Sequence, residues 1–258
     1  MLPTELAPDP ASPFPPVESA RRVPNGLLAR GGDLTPTRLV NAYRHGCFPW
    51  YSEGQPILWW SPDPRMVLFA DRFHVSRSLR RFLRRCGWTL RADQRFAEVI
   101  TACALTPRRG QDGTWILPEM ARAYRRLHAL GHAHCVEAYD TAGRLVGGVY
   151  GVAIGRMFYG ESMFSHAENG SKVALLGLCR FMQRHGMPML DCQMETPHLR
   201  SLGATPVPRT GFIRESRVLC DLQGPAGNWG AAFGTIPASA LLPSAPDGTV
   251  RTTQTDLP

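Results

Sequence analysis

The stretch LVGGVYGVAIGRMFYGESMFS, residues 145–165, decides the fold class of this chain. It contains two apolar runs rich in β-branched and aromatic residues, and Gly155 separates them. Such runs with turn residues between them are typical of adjacent β-strands. We predict strands over residues 144–153 and 156–162, and an earlier strand over residues 134–139 that ends at the turn DTAG. The three strands together predict a β-meander.

The segments on either side of this meander predict a mixed α+β domain. After it, the apolar run of residues 171–185 predicts a helix that ends at Gly186, followed by a strand over 189–194 and a short helix over 197–202. Before it, helical spacing and caps predict helices over residues 35–46, 76–86, 93–104 and 118–131, with a strand over 65–70. Helices before and after a run of strands indicate the α+β class.

The two ends of the chain differ in composition from its centre. Residues 1–20 are rich in proline, which predicts a flexible or extended arm. Residues 218–258 are dominated by Gly, Ala, Pro, Ser and Thr, which predicts a low-complexity, disordered tail. We therefore expect the structured body to span residues 21–217.

The charge balance favours a polyanionic partner. The 258 residues carry a formal net charge of +8, and a single lysine, Lys172, accompanies the arginines. A basic protein of this kind attracts partners such as RNA. Mean hydropathy is −0.19, and no apolar run approaches the roughly 18 residues of a membrane helix. Because the amino terminus also lacks the pattern of a secretory signal, we expect a cytoplasmic monomer without membrane contact.

The basic residues concentrate in VSRSLRRFLRRCGW, residues 75–88. Leucine, phenylalanine and cysteine side chains repeat on one side of this predicted helix, and arginines repeat on the other at i, i+3, i+4 and i+7. The arginines are Arg77, Arg80, Arg81 and Arg84, with Arg85 at the edge. A solvated basic face would explain the pattern, but the unbalanced clustering favours contact with nucleic-acid phosphates.

Three polar residues are candidates for chemistry. Asp191 and Gln193 point to the same face of a predicted strand, so the carboxylate can orient the amide NH₂ and leave the amide oxygen to accept a proton from an amine. A structural hydrogen-bond pair at a strand end is the alternative. Glu161 lies among large apolar side chains and needs a cationic partner, which an internal arginine or a cationic substrate would supply equally well.

Several other site classes are not supported by the sequence. The seven cysteines are scattered and never spaced as CxxC, which argues against a disulfide framework or a zinc ribbon. In HAHC, residues 132–135, strand alternation points the two histidines away from Cys135, so we expect no metal. We expect Cys192 to face the core. The sequence also lacks nucleotide phosphate loops and a GxSxG elbow, and we expect no cofactor.

Motifs along most of the body resemble those of one enzyme family. They are GCFPWYSEGQPILWWSPDPR, DGTW, GHAHCVE, LVGGVYGVAIGRMFYGESMFSHAENGSK, DCQ and HLRSLGA, in this order. Together they resemble the leucyl/phenylalanyl-tRNA–protein transferases, over about residues 14–217. The resemblance implies a small N-terminal domain over residues 21–66 and an acetyltransferase-like (GNAT-like) mixed-sheet domain over residues 67–217.

The resemblance also implies a reaction. Leucine or phenylalanine, and less readily methionine, moves from Leu-tRNA or Phe-tRNA to the α-amino group of a protein that begins with Arg or Lys, and the product is an N-degron. No metal, cofactor or separate energy source is implied, because an aminoacyl ester is already activated. Gln193 would then accept a hydrogen bond from the acceptor amine, Asp191 would act either as a base or only as the residue that orients Gln193, and Glu161 would bind the acceptor's cationic side chain.

The same resemblance assigns the donor site. The arginines of residues 77–85 would contact the tRNA acceptor arm, and Trp50 and Trp115 would stack on its terminal adenine, whereas Trp59 and Trp60 are expected in inter-domain packing. The donor side chain would enter an apolar pocket that can adapt to both Leu and Phe. Its predicted residues are Val149, Phe158, Met163, Ser165, Leu178 and Leu190.

Two rival functions differ from this one in testable ways. An N-acetyltransferase needs a pyrophosphate loop of the form [RQ]xxGx[GA] after the meander, and the corresponding segment SHAENGSKVALLG lacks it. A non-catalytic RNA-binding protein would explain the charge but not the Asp191–Gln193 pair beside Glu161.

Overall fold

A computed structural model describes residues 3–106 and 116–242. Within these ranges the strands form a four-stranded sheet of order β1-β2-β4-β3 and an eight-stranded sheet of order β11-β5-β10-β9-β8-β7-β6-β12. The strands are β1 (Thr4–Glu5), β2 (Leu27–Arg30), β3 (Phe48–Pro49), β4 (Leu58–Trp60), β5 (Arg65–Phe69), β6 (Thr89–Ala92), β7 (Ala133–Tyr139), β8 (Leu145–Ile154), β9 (Met157–Ser165), β10 (Met189–Gln193), β11 (Thr205–Val207) and β12 (Ile236–Pro237). The predicted mixed α+β class is confirmed.

Helices cover both faces of the large sheet. They are α1 (Pro36–His45), α2 (Arg77–Leu83), α3 (Phe96–Leu105), α4 (Pro118–Ala129), α5 (Gly170–Arg184), α6 (Pro197–Ser201), α7 (Arg209–Asp221) and α8 (Gly230–Phe233), with 3₁₀ turns at Val17–Ser19, Ala70–Arg72 and Ala238–Leu241. Buried side chains of α1, α3, α4 and α7 share one core with one face of the sheet. Side chains of α2 and α5 share a second core with the opposite face.

The predicted meander forms the centre of the large sheet. Strands β7, β8 and β9 pair antiparallel, and β10 then pairs parallel with β9 after the α5 crossover. Strand β10 also pairs antiparallel with β5, and the register shifts between Asp191 and Gln193. This irregularity lies at the end of the strand that carries both candidate residues.

Of the two predicted states of the N-terminal arm, flexible or extended, the structure shows an extended segment packed on the protein over residues 3–20. Strand β1 pairs parallel with β2, and the apolar side chains of Leu6, Phe14 and Val17 are buried. The Phe14 ring lies edge-on to Trp59 with 5.0 Å between ring centroids. Proline-rich composition excludes regular helix, but it does not stop an extended segment from burying apolar side chains placed between its prolines.

The predicted disorder of the tail is wrong for residues 218–242. Helix α7 runs to Asp221, and β12 pairs antiparallel with β6. Trp229 is 1% exposed and stacks on the His134 ring at 3.9 Å between centroids, while its backbone N–H donates to Asp93 at 2.8 Å. A few apolar anchors hold this segment to the sheet despite its low-complexity composition. Residues 243–258 lie outside the described ranges.

Candidate active site

A largely apolar cavity of about 910 Å³ lies at the ends of β9 and β10. Its lining residues come from β8, β9, β10, α5, α6 and the end of α3: Thr106, Val149, Gly160, Glu161, Ser162, Met163, Leu175, Leu190, Cys192, Thr196, Pro197, His198 and Leu199. Glu161 is the only acidic residue of this lining within the described ranges. The cavity therefore offers an apolar surface with few polar groups, as small-molecule sites usually do.

The structure brings together only part of the predicted side-chain pocket. Val149, Met163 and Leu190 line the cavity. Phe158 and Leu178 are each 1% exposed and belong to the core behind it. Leu175, one turn before Leu178 on α5, lines the cavity instead. Helical spacing places both leucines on one face but does not show which of them reaches the end of the sheet.

Ser165 has a different position from the predicted one. Its side chain is exposed, and its Oγ accepts the backbone N–H of Ser171 at 2.8 Å. Ser171 is the second residue of α5, so this contact satisfies one of the unpaired N–H groups at the beginning of the helix. Ser165 therefore caps α5 and is not one of the residues that line the cavity.

Glu161 is buried and contacts no cation within the described ranges. Its Oε1 accepts from the Tyr43 hydroxyl at 2.7 Å and from Gln193 Nε2 at 2.8 Å, and the Tyr124 hydroxyl lies 2.8 Å from its Oε2. Burial raises the pKa of this carboxyl to about 7, against the opposing effect of the tyrosine hydrogen bonds. Neither an internal arginine nor another described cation meets it, so the predicted alternative of an internal arginine is wrong, and two tyrosines and an amide contact the carboxyl.

Asp191 is held by an arginine that the sequence analysis missed. Arg65 Nε and Nη2 donate to the two carboxylate oxygens at 2.8 and 2.6 Å, and both side chains are fully buried. The same guanidinium lies 4.8 Å from the ring centroid of Phe48 and 4.6 Å from that of Phe212. A charged residue at the start of the apolar strand RMVLF was the available signal, because a buried arginine requires an acidic partner.

Gln193 meets Asp191 through its backbone and not through its amide group. Its backbone N–H donates to Asp191 Oδ1 at 2.8 Å, and its φ of 64° lies in the left-handed region. This turn directs the side-chain amide to Glu161. The predicted contact between the Asp191 carboxylate and the Gln193 NH₂ is therefore wrong, and Glu161 holds the amide instead.

The predicted arginine face is formed, although helix α2 is shorter than predicted and Arg84 and Arg85 follow its last residue. Leu79 and Leu83 are buried, Ser76 Oγ accepts the Leu79 N–H at 3.2 Å, and the helix ends at Leu83. Arg77, Arg81, Arg84 and Arg85 are exposed and Arg80 is partly buried. Within the described ranges, none of these five guanidinium groups has a carboxylate within ion-pair distance. An unpaired cationic face of this kind suits a polyanion.

The predicted stacking tryptophans are only partly described. Trp50 is partly buried and packs edge-on against Trp60 at 5.5 Å, and Trp60 Nε1 donates to the Trp50 carbonyl at 2.6 Å. Trp59 is fully buried, as expected for a core residue, and Trp60 packs against the same core. Trp115 lies outside the described residues.

Metal and thiol chemistry find no support among the described residues. No group of three or more His, Cys, Asp or Glu side chains there could hold a metal ion. Cys192 packs against the core as predicted and also lines the cavity, and burial raises the pKa of its thiol well above the usual value. None of the described helices is long and apolar enough to cross a membrane.

Comparisons with known proteins identify the family. The family model "Leucyl/phenylalanyl-tRNA protein transferase" matches residues 67–217, and the model of its N-terminal domain matches residues 32–63. The leucyl/phenylalanyl-tRNA–protein transferase of Xanthomonas campestris pv. campestris (strain 8004) is 57% identical over 240 residues, which cover 93% of this chain and 96% of that protein. The one from Xylella fastidiosa (strain M23) is 56% identical over 89% of this chain and 94% of its own length.

Solved structures give weaker similarities. L-PGS from Bacillus licheniformis matches with a TM-score of 0.38 and 11% identity over 65% of this chain and 54% of its own. A GCN5-related N-acetyltransferase from Sphaerobacter thermophilus matches with a TM-score of 0.34 and 16% identity over 72% of this chain and 58% of its own. The family models and the identity to the curated relatives show that the chain belongs to the leucyl/phenylalanyl-tRNA protein transferase family.

Proposed function

We propose that this protein transfers leucine or phenylalanine, and less readily methionine, from aminoacyl-tRNA to the α-amino group of proteins that begin with Arg or Lys. The observation that carries the proposal is the apolar cavity whose wall contains the Glu161 carboxyl bonded to the Gln193 amide. The product would be an N-degron, made in the cytoplasm where charged tRNA is present.

The cavity is the proposed site of the donor side chain. Val149, Met163, Leu175 and Leu190 provide an apolar surface. Methionine adapts to differently shaped ligands, so Met163 suits a pocket that accepts both Leu and Phe. Discrimination against side chains that differ by one methyl group should stay near 1–3 kcal/mol, because a hydrophobic pocket achieves little more.

The α2 arginines and the tryptophans would hold the tRNA. Helix α6 forms part of the cavity wall, and Leu202 follows it in the chain. The Leu202 carbonyl accepts the N–H of His74 at 2.9 Å, and His74 lies three residues before the start of α2. The unpaired arginine face therefore begins close to the cavity. Trp50 and Trp115 would stack on the terminal adenine, a contact worth about 1–3 kcal/mol per base.

The chain's polar groups then act on the acceptor amine. About a tenth of α-amino groups are neutral at pH 7, so orientation and proton removal during attack are required. The amine nitrogen attacks the ester carbonyl, the C–N bond forms, the bond to the tRNA 3′ oxygen breaks, and one proton passes from nitrogen to that oxygen. The Gln193 NH₂ donates a hydrogen bond to Glu161, so the Gln193 amide oxygen remains free to accept a hydrogen bond from the acceptor amine.

Asp191 serves this step as a positioning residue. Arg65 occupies both of its oxygens, and Asp191 Oδ1 also accepts the Gln193 backbone N–H. Both oxygens of this carboxylate already accept hydrogen bonds from within the protein. Asp191 therefore fixes the backbone of Gln193, and the proposal does not need it to take a proton.

The acceptor's cationic side chain should bind without Glu161. Both oxygens of Glu161 already have protein partners, and the residue is buried. Displacing these partners to bind a guanidinium would leave one tyrosine O–H without an acceptor in the interior, because the two hydroxyls can satisfy only one of their protons between them, at a cost of about 1–3 kcal/mol. We expect Glu161→Gln to keep the preference for Arg-starting over Ala-starting peptides.

An acyl-CoA donor fits the structure poorly. The beginning of α5, where a pyrophosphate would bind, has its Ser171 N–H capped by Ser165. Gly147 and Gly170 also bring strand and helix backbones together there, since a Cβ on Gly147 would lie 2.2 Å from the Gly170 carbonyl carbon. This space is occupied by the protein's own backbone.

Transfer from a labelled donor tests the proposal. The assay combines purified protein, an Arg-starting peptide and radiolabelled Leu-tRNA or Phe-tRNA, with labelled acetyl-CoA as a parallel donor. RNase-sensitive label in the peptide is expected, and label from acetyl-CoA alone would refute the proposal. A Gln193→Ala variant that still binds tRNA but no longer transfers would separate the enzyme from an RNA-binding protein.

A further inference from the structure

Three oxygen-bearing groups next to the cavity are in mutual contact. The Tyr43 hydroxyl lies 2.7 Å from Glu161 Oε1, and the Tyr124 hydroxyl lies 2.8 Å from Glu161 Oε2. The two hydroxyl oxygens are 2.5 Å apart. All three side chains are buried, and they come from α1, α4 and β9. We call this set the Tyr–Tyr–Glu ring.

The Tyr–Tyr–Glu ring contains three oxygen–oxygen contacts at hydrogen-bond distance, but its two tyrosine hydroxyls supply only two protons. Each tyrosine brings one O–H, and burial raises the pKa of both Tyr43 and Tyr124 well above the usual value, so both stay protonated. Three oxygen–oxygen pairs at hydrogen-bond distance need three protons. If Glu161 were ionised, one of these three contacts would have no proton, and the lone pairs of its two oxygens would face each other in the protein interior. The third proton therefore belongs to the Glu161 carboxyl.

The Gln193 amide decides which oxygen carries that proton. Glu161 Oε1 accepts from Tyr43 and from Gln193 Nε2, which uses both of its lone pairs as a carbonyl oxygen. The proton then lies on Oε2, which donates to the Tyr124 hydroxyl, and Tyr124 donates to Tyr43. Every donor and acceptor of the ring has a partner in this arrangement.

We propose that Glu161 keeps a proton because it is buried, that Tyr43 and Tyr124 are positioning residues that fix this proton on Oε2, and that the neutral carboxyl orients the Gln193 amide for transfer. The kinetic part of this inference rests on the proposed function, whereas the protonation of Glu161 does not. The N-terminal segment thereby takes part in the site, because Tyr43 belongs to α1.

The charged groups around the ring favour the neutral carboxyl. Asp191 on β10 is the nearby carboxylate and would repel a second negative charge, although Arg65 pairs with it. Tyr150 on β8 faces Tyr124 at 5.7 Å between ring centroids, and Tyr159 on β9 faces Tyr43 at 5.0 Å. His198 lines the same cavity, and burial followed by the charge of Lys172 lowers its pKa. No described cation lies within ion-pair distance of Glu161.

Spectroscopy tests the proton without any substrate. Infrared difference spectra of the full chain, recorded between pH 5 and pH 9, should show the C=O band of a protonated carboxylic acid that titrates near the Glu161 pKa of about 7. The band should be missing in Glu161→Gln and should shift in Tyr124→Phe. A wild-type spectrum that lacks any such Glu161-dependent band would overturn the proposal.

Kinetics test the positioning role. Glutamine at position 161 keeps a carbonyl oxygen for Tyr43 and Gln193 and an NH₂ for Tyr124, so Glu161→Gln should keep kcat within about threefold. Glu161→Ala, Tyr43→Phe and Tyr124→Phe break the ring and should lower kcat up to about 100-fold, with little change in KM for the donor. Equal losses in Glu161→Gln and Glu161→Ala would show that the charge matters and would refute the proposal.

A matched control isolates the ring from general effects of losing a tyrosine hydroxyl. Tyr51 donates to Glu119 at 3.1 Å and lines no part of the cavity, so Tyr51→Phe should leave both the infrared band and kcat unchanged. If the wild-type protein transferred nothing from any aminoacyl-tRNA, the proposed function would fail, and the infrared band alone would decide whether the ring holds its proton.

Discussion

Removing the arginine of the Arg65–Asp191 pair should cost a large part of the protein's stability. Arg65→Met leaves a fully buried Asp191 carboxylate whose described remaining hydrogen bond is the one from the Gln193 N–H. The two charge-assisted hydrogen bonds that disappear are worth about 1.5–3 kcal/mol each, and breaking a buried pair from one side costs about 3–5 kcal/mol. Since a domain has roughly 5–15 kcal/mol in total, we expect a loss of about 3–5 kcal/mol.

Urea unfolding with constant m-values measures this loss. Arg44→Met is the matched control, because its pair with Asp221 is exposed at 47% and 78%, and it should cost less than about 1 kcal/mol. The double variant Arg65→Met with Asp191→Leu removes both charges and should recover most of the stability. It should nevertheless transfer slowly, because nothing then holds the Gln193 N–H.

The reasoning would be refuted if Arg65→Met cost no more than Arg44→Met. It would also be refuted if the double variant were as unstable as the single one, because the cost would then come from poorer packing and not from an unpaired charge. Full activity in a stable double variant would show that Asp191 does not position Gln193.

Three further predictions concern other parts of the molecule. Folding raises the Glu161 pKa from 4.5 to about 7, so the folded state binds this proton more tightly and its contribution to stability is complete below pH 4.5. That contribution, about 3 kcal/mol, should be lost as pH rises through 7, and the loss should be absent in Glu161→Gln when unfolding is followed against pH. Replacing Arg81 and Arg84 by Gln should weaken tRNA binding and lower the slope of log K against log salt by about 1 for each phosphate that is no longer neutralised, measured by filter binding. An unchanged slope would mean that these side chains touch no phosphate. Trp229→Ala should cost about 3–5 kcal/mol in urea unfolding, because the ring is buried against His134, and near-zero cost would mean that the segment after residue 221 does not stabilise the sheet.

Local patterns predicted much of the fold. Alternation and turn residues predict the strands of the meander. Pro36 and Gly46 predict the two ends of α1, which begins after Thr35, whose side chain accepts the Arg38 N–H, and ends at Gly46 with φ 88°. The arginine face of α2 follows from helical spacing in the same way. These features depend on neighbours within a few residues, so the sequence carries them directly.

Composition was a poor guide at both ends of the chain. The segments 3–20 and 218–242 are rich in Pro, Gly and Ala, yet Phe14 and Trp229 are each buried in contact with a residue far along the chain. A high content of Pro, Gly and Ala does not show whether the apolar side chains placed among them are buried. Only the folded sheet shows whether a complementary surface exists for it.

In the candidate site too, some features follow from the sequence and others only from the tertiary structure. By itself the sequence determined the family, the meander and the basic face, and it singled out Glu161, Asp191 and Gln193 as candidates. Only the tertiary structure decided their partners, because Tyr43 and Tyr124 stand 118 and 37 residues from Glu161, and Arg65 stands 126 residues from Asp191. Periodicity assigns a side chain to a face of its own element. Which charge or hydroxyl meets it there depends on how distant elements pack.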